Sequence, residues 1–569
     1  MPQLYRRGGV AALFVASSTL AIRPLLAYPG WPFNHEGLAW ATRFRVIAMA
    51  MREGDLLPLW WAEDVFGMGS PQPLLYHKLF NAVAAPLFLL TGSVKTTALL
   101  AIVFFSVLGA WGSFRLCRSV GASYPVAVGL SLMFPHLHYS ATDWLVRGAF
   151  AEYALLALTP WLIAWCVELV QLAKFGYWIA PLLFACVLAH SVVALFSVIP
   201  LAAAVVLTLL VHRERSVPRM LVRRAAIAGA GFALAILPLA TLMLEAQSVC
   251  SLDLAIGESL NVAKQFQTLR VYFWDPEFEW GVHRDQVTLL LDLPVLAGLA
   301  AALGLVVWSV LARTMQTDAG RRASGERPLR SGPLFAFFMV TIVFLLWMQT
   351  PGSLEVYRRV PRFIWIQFPW RLLTLISVLF VGLLALALAW VAGDYPRAAV
   401  GIATAVLGAT VASGPALHTI THGGFSEAEV ERIEVGEGIL WAEYWPSLSY
   451  GSGRVRPARV IEYHAFARQT PVATVSGGPC RADQLYSSSY LTHRVRVDCA
   501  SPAELAFPLT YSGMEVALHD SHGIEQQLAT YRTESDPRIR LRSSAGDAQV
   551  TIQMPTLWRL LRYHAFGRW

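Results

Sequence analysis

The chain has 569 residues, 56% of them apolar and only 14% charged, where a soluble enzyme carries roughly a quarter charged residues. That excludes a cytosolic globular protein, and so apolar a chain is not a disordered one. The formal net charge of +8 then reads as arginine-rich loops between membrane helices, with no nucleic acid as partner, and six cysteines are too few for a disulfide scaffold.

Stretches of about 20 mostly apolar residues, the length of a membrane-spanning helix, fall at 8–27, 95–114, 124–142, 149–171, 225–245, 290–312, 333–350, 369–391 and 398–414. The first follows Arg6 and Arg7, and a cleaved signal peptide is its alternative reading. The stretch 177–211 is too long for one helix and suits two short ones, with a hairpin turn near His190-Ser191. The expected total is about 11 crossings.

The basic residues test that count. Arg115, Arg118, Lys174, the five arginines of 212–224 and the five of 313–330 all fall on one side if the chain starts in the cytoplasm and crosses 11 times. The outer segments are then 28–95, 135–148, 246–289, 351–368 and 418–569. The apolar stretch 74–92 contains His77, Lys78 and Pro86 and is expected to lie along or dip into the surface. A full crossing there would move the terminal domain inside.

After Gly414 the apolar runs shorten and period-two alternation begins. Val495 and Val497 alternate with Arg494, Arg496 and Asp498; Ile539 and Leu541 with Arg538, Arg540 and Arg542; Val550, Ile552 and Met554 with Gln549, Thr551 and Gln553. This is half-buried strand patterning. The expected organisation is a mainly α polytopic membrane domain over 1–414, an extracytoplasmic β-sandwich over 415–554, and an amphipathic tail over 555–569. The tail lies on the membrane or packs on the sandwich. Cys480 and Cys499 are the only cysteines of the terminal domain and suit an extracytoplasmic disulfide or two buried thiols. Cys117, Cys166, Cys186 and Cys250 lack metal spacing and read as packing residues.

Ionisable groups near membrane depth are costly and tend to mark function, and the first outer loop, 28–95, holds the richest set. It runs Asn34-His35-Glu36-Gly37, then a helical run to Arg52-Glu53-Gly54. Trp40, Phe44, Ile47 and Met51 form one apolar stripe, expected on the membrane surface, while Glu36 and Arg43 share another face. Glu63 and Asp64 follow in a turn-rich segment. Glu36, with His35 beside it, and Asp64 are the candidate catalytic residues. A carboxylate there can deprotonate a hydroxyl, and Glu36 with Asp64 can hold a divalent cation, Mg or Mn. Solvated loop acids are the alternative for each.

Arg147 and Glu152 open the fourth span and either line a polar site or pair with each other. Arg358, Arg359 and Arg362 sit on the outer side, where the positive-inside rule disfavours arginine, so a compensating anion is expected. A lipid phosphate is the natural one, since a guanidinium binds phosphate through two donors. Arg371, heading an apolar span, is the leading phosphate ligand, with Arg147 and Arg362 helping. His136, His138, His283, His418 and His422 lack a metal-ligand rhythm and read as loop or interface histidines. No Walker loop, dinucleotide fingerprint or Gly-x-Ser-x-Gly elbow is present.

The string His35-Glu36, Arg43, Glu53-Gly54-Asp55, Pro58-Leu59-Trp60, Gly67-Met68-Gly69-Ser70-Pro71, Tyr76 resembles the first loop of large bacterial multi-span proteins labelled pyruvoyl-tetrahydropterin-synthase-related, a label with no pterin chemistry evident here. Arg147, Glu152 and Pro160, then Gln367-Phe368-Pro369-Trp370-Arg371, then Glu443-Tyr444-Trp445-Pro446 resemble that family's later motifs. Such proteins are similar to GT-C glycosyltransferases, which carry an acidic residue in the first outer loop. That resemblance implies an inverting transfer of sugar from a polyprenyl-phosphate carrier to an envelope glycan, lipid or protein, outside the bacterial cytoplasmic membrane. GT-C loops commonly have Asp at the catalytic place, and this chain has Glu36, one methylene longer. Arg43, Glu63, Glu152, Gln367 and Trp370 are the expected supporting residues. A transporter or flippase, or a non-catalytic scaffold for envelope assembly, are the competing classes.

Overall fold

The computed structural model describes residues 2–56, 58, 77–213, 216–249, 261–274, 289–315, 332–360, 362–420 and 423–432, and, beyond these, the strands of the C-terminal sheets with some of their connections. Glu63, Asp64, Cys250, the 443–446 motif and the tail 555–569 lie outside the described residues.

The chain is mostly helical. Among the described residues, six helices are long and apolar enough to cross a membrane, or up to eight if each of two bent pairs counts as one span. Not every expected span forms one straight helix. The stretch 124–142 is helical only over Tyr124–Leu132. It then breaks into a 3-10 turn, Phe134–His136, a short helix, His138–Ala141, and a π-helical turn, Thr142–Arg147. Ile179–Leu195 and Val198–Val211 meet at 89°, so the main bend comes after Leu195. His190 marks an earlier kink, with φ −159° and ψ 92°. Gly332–Trp347 and Pro351–Arg359 meet at 94°.

The stretch 74–92 contributes the 13-residue helix Leu79–Thr91 with Pro86 inside it. At 1.5 Å per residue it rises about 20 Å, short of the roughly 30 Å hydrocarbon layer. The helix Ala39–Arg52 ends at Gly54, whose φ of +90° is one glycine adopts readily. Its apolar stripe does not face outward as expected. Trp40 and Phe44 are buried, Trp40 packs on Trp31 and Phe150, and Ile47 packs with Ala85 and Met51 against Leu79–Thr91. The stripe is spent on the protein core.

The core centres on Phe150–Leu172 and Leu373–Asp394, whose apolar windows are each about 89% buried. Segments far apart in the sequence are clasped together. Trp31–Pro32 pairs antiparallel with Gly424–Phe425. Glu431 accepts from the Ser93 hydroxyl at 2.8 Å and from the backbone N–H groups of Val94 and Lys95 at 2.9 and 3.3 Å. A carboxylate at a helix N-terminus satisfies donors that have no partner within the helix. Residues 423–432 therefore pack on the helical part, beyond the boundary expected at 414.

Further on lie two antiparallel sheets of six and four strands. Along Thr492–Cys499, Val495, Val497 and Cys499 are buried while Arg494, Arg496 and Asp498 are exposed. Val550, the partner of Val495, and Ala548, the partner of Val497, are buried too. Cys480 and Cys499 face each other across paired strands and are disulfide-bonded. Cys117, Cys166 and Cys186 are free and buried.

Candidate functional site

The site is built where the first loop meets the 142–152 segment. Asn34–Gly37 forms a turn, with the Gly37 N–H on the Asn34 carbonyl at 3.1 Å. Its backbone then docks on the π-helical turn: the Glu36 N–H donates to the Arg147 carbonyl at 2.9 Å and the His35 N–H to the Val146 carbonyl at 3.4 Å. Single π-turns recur at functional sites. Gly148 ends this one at φ +67°, and a Cβ there would lie 2.6–2.8 Å from the Asn34 side chain. Gly148→Ala is therefore expected to cost at least about 1–2 kcal/mol for the left-handed backbone alone and to displace the Glu36 turn. A lowered thermal midpoint in detergent checks this; an unchanged one contradicts the docking.

Two charge clusters lie on either side of that docking. On the loop side, Arg43 Nη1 bonds Glu36 Oε2 at 3.0 Å, with side chains 6% and 17% exposed. On the helix side, Glu152, 1% exposed, is a hub. Its Oε2 lies 2.9 Å from Arg147 Nη2 and 3.4 Å from Arg371 Nε. Its Oε1 accepts from the Tyr139 hydroxyl at 2.6 Å and the Thr374 hydroxyl at 3.1 Å. Arg147 also bonds Asp143 at 2.5 Å. Signs thus alternate along Asp143, Arg147, Glu152 and Arg371, which is how buried charges are tolerated. Burial, then the neighbouring Glu152 charge, pushes the Asp143 carboxyl well above its usual range, against the pull of Arg147. Of the two glutamates, only Glu36 is open enough for a substrate to reach.

The Gln367-Phe368-Pro369-Trp370-Arg371 string wraps this hub. Arg371 Nη1 donates to Gln367 Oε1 at 3.3 Å and to the Ile366 carbonyl at 3.2 Å. The Arg371 guanidinium lies 5.0 Å from the Phe368 ring, and that of Arg147 lies 4.6 Å from the Trp370 ring. Gln367 adopts φ +62°, a strained conformation for a residue with a side chain. Arg362, also at positive φ, is exposed. Among the described residues it shares no ion pair with the cluster. Arg147 is engaged by Asp143, Glu152 and Trp370 together, so it fixes Glu152 and Arg371 more than it offers a free face to an anion.

Sequence reasoning missed a third group. The kink at His190 frees backbone N–H groups, and imidazoles take them up. The Ser191 N–H donates to His77 Nδ1 at 3.2 Å and the Val193 N–H to His190 Nδ1 at 3.3 Å. The two rings stack with centroids 3.9 Å apart. Burial, then the charges of His190, Arg371, Lys78 and Arg43, hold His77 well below its ordinary value. Arg43 from the Glu36 side and Arg371 from the Glu152 side therefore both act on one imidazole. The i, i+4 spacing of Asp143 and Arg147 was the readable signal for Asp143. Tyr139 and Thr374 carry no comparable signal. Among the described residues, no group of three or more His, Cys, Asp or Glu side chains is arranged to hold a metal ion.

No protein-family model matches the chain. No curated protein matches it either. Among solved structures it is similar to the arabinofuranosyltransferase AftD from Mycobacteria, determined by single-particle cryo-EM, with 18% identity and a TM-score of 0.45. The match covers 74% of this chain and 27% of that one, so the chain spans about a quarter of AftD's length.

Proposed function

We propose that the chain is an integral membrane glycosyltransferase that moves a sugar from a polyprenyl-phosphate carrier to a glycan, lipid or protein acceptor outside the cytoplasmic membrane. In this reading the chain crosses the membrane 11 times, and the two C-terminal sheets form a β-sandwich on the acceptor side. The observation that carries it is the shared anchorage of a reachable carboxylate and a late guanidinium. Glu36 hangs on the Arg147 backbone while the Arg147 side chain and Arg371 share one oxygen of Glu152.

Glu36 takes the proton of the acceptor hydroxyl. The acceptor oxygen then attacks the anomeric carbon from the face opposite the phosphate. The bond from that carbon to the phosphate oxygen breaks, polyprenyl phosphate leaves with the electron pair, and the anomeric centre inverts. Arg371 offsets the charge that gathers on the leaving phosphate, as fixed cations do where charge develops. Arg147 holds Glu152 and so aims Arg371. Arg362 meets the phosphate only from the exposed rim. A divalent cation on Glu36 and Asp64 belongs to this proposal as an optional partner.

The test is incubation of the purified protein with radiolabelled polyprenyl-phosphate sugars and envelope acceptors. Labelled product is expected, and its absence across donors would overturn the reading. Arg371→Ala is expected to weaken donor binding roughly 10–100-fold, the worth of a charge-assisted hydrogen bond. Unaltered donor affinity counts against the phosphate role.

A second reading has an observation of its own. Two bent helix pairs, at 89° and 94°, are the kind of broken element that transporters place around a substrate. Movement of labelled carrier across proteoliposomes without product formation would favour a flippase.

A further inference from the structure

The kink at His190 is held open by side chains, one of the ordinary causes of a break in a helix. His190 has extended backbone, with φ −159° and ψ 92°. Its Nδ1 accepts the Val193 N–H, three residues on, at 3.3 Å. That is N-cap geometry, in which a side-chain acceptor takes an N–H with no partner within the helix. His77 Nδ1 accepts the Ser191 N–H at 3.2 Å, and the Lys78 N–H donates to the Leu188 carbonyl, ahead of the break, at 2.7 Å. Residues 77 and 78 therefore plug the kink, and the two rings stack with centroids 3.9 Å apart.

These bonds fix the protons. An imidazolium carries hydrogen on both nitrogens, so a ring whose Nδ1 accepts is neutral, with its proton on Nε2. Among the described residues, the one hydrogen bond of the His190 side chain is that at Nδ1, which leaves Nε2–H as a fixed donor. Arg371 has a donor of the same kind. Its Nε faces Glu152 and its Nη1 bonds the Ile366 carbonyl and Gln367, while among the described residues its Nη2 makes no hydrogen bond.

Packing brings the rings to Arg371. Phe80, three residues after His77, stacks on Phe150 at 4.7 Å, and Phe150 lies two residues before Glu152. Phe196, at the end of the kinked helix, packs on Phe363 at 4.4 Å. Phe363 opens the 3-10 turn Phe363–Ile366 that leads to Gln367 and Arg371. The Arg371 charge accordingly acts on both imidazoles. Two fixed donors, one of them on a cation, match the oxygens of a phosphate.

We propose that the His190 Nε2–H joins the Arg371 Nη2–H as a ligand of a phosphate group, with His77 holding the ring in place by stacking. This rests on the phosphate role of Arg371 in the glycosyltransferase reading and extends that site to the kinked helix. The carrier, a lipid headgroup and free phosphate all offer that chemistry.

The test is the binding of farnesyl phosphate, a short-chain phosphatidylglycerol and inorganic phosphate to the full-length protein in detergent, with farnesol as the control that lacks phosphate. The wild type is expected to bind at least one phosphate compound more tightly than farnesol. His190→Asn is expected to weaken that binding about tenfold or more, the worth of a hydrogen bond to a charged group. Asparagine is itself a good N-cap, so the thermal midpoint should hold and the loss is one of the donor alone. In the wild type, the NMR resonance of the His190 Nε2 should shift when the phosphate compound binds. An unmoved resonance overturns the proposal even where a variant fails to fold, and so does an asparagine variant with wild-type affinity for every phosphate compound. Weakening by Arg371→Ala alone overturns it and leaves the glycosyltransferase reading standing. A preference for phosphatidylglycerol or inorganic phosphate over farnesyl phosphate, lost in both variants, supports the site and counts against the polyprenyl donor.

Discussion

Glu36→Gln is expected to lower sugar transfer about 10²–10⁴-fold, the usual contribution of a positioned general base, while leaving donor binding and folding unchanged. The amide is nearly isosteric, and its carbonyl oxygen can still accept from Arg43, which holds the wild-type carboxylate at 3.0 Å. The backbone bond to Arg147 does not involve the side chain. What is lost is the capacity to take a proton. Single-turnover measurements on a radiolabelled donor, with a thermal melt alongside, separate the two effects. Turnover equal to wild type would refute the base assignment and leave Glu36 as a partner of Arg43.

Glu152→Ala is expected to have the largest effect on stability, about 3–5 kcal/mol, the range for removing one partner of a buried ion pair. Glu152 is 1% exposed and is shared by Arg147, Arg371, Tyr139 and Thr374. Truncation leaves two guanidiniums with one carboxylate, Asp143, and strands two hydroxyls. Glu152→Gln keeps acceptor geometry without the charge and should fall between the alanine variant and the wild type. Chemical unfolding in detergent measures both. A loss under about 1 kcal/mol for the alanine variant, the level of an exposed pair, would mean that the arginines are held by other groups.

Hydropathy and the distribution of arginines made the helical, apolar character of the chain legible, because span length is fixed by bilayer thickness. They could not show where a span breaks. Pro135, with His136 and His138 beside it, signals a break within 124–142, but not that the helix stops at Leu132 and the backbone passes into 3-10 and π turns. The stripe through Trp40 and Phe44 was legible as a helix face, but periodicity does not say whether protein or lipid covers it. In the C-terminal sheets, period two identified Val495, Val497 and Cys499 as one buried face.

The site was legible in its anchors. Glu36 with Arg43 and Arg147 with Glu152 are close in sequence, so a turn running into a helix brings each pair within reach. The bond from Arg371 to Glu152 spans more than 200 residues and depends on two helices packing side by side, which no local pattern encodes. His77 and Lys78 stood out as ionisable groups in an apolar stretch, and a break near His190 was expected. The stacking of His77 on His190 joins residues more than 100 positions apart, which no local pattern encodes.

The central claim is that Glu36 and Arg371 serve one pocket. It is tested most directly by an experimental structure of the protein with a non-transferable phosphonate analogue of a polyprenyl-phosphate sugar. The account predicts the phosphonate within about 3 Å of the Arg371 guanidinium, the distance of a charge-assisted hydrogen bond, with the anomeric carbon turned toward Glu36. A carrier seated elsewhere, or Glu36 and Arg371 opening toward opposite faces of the membrane, would contradict it.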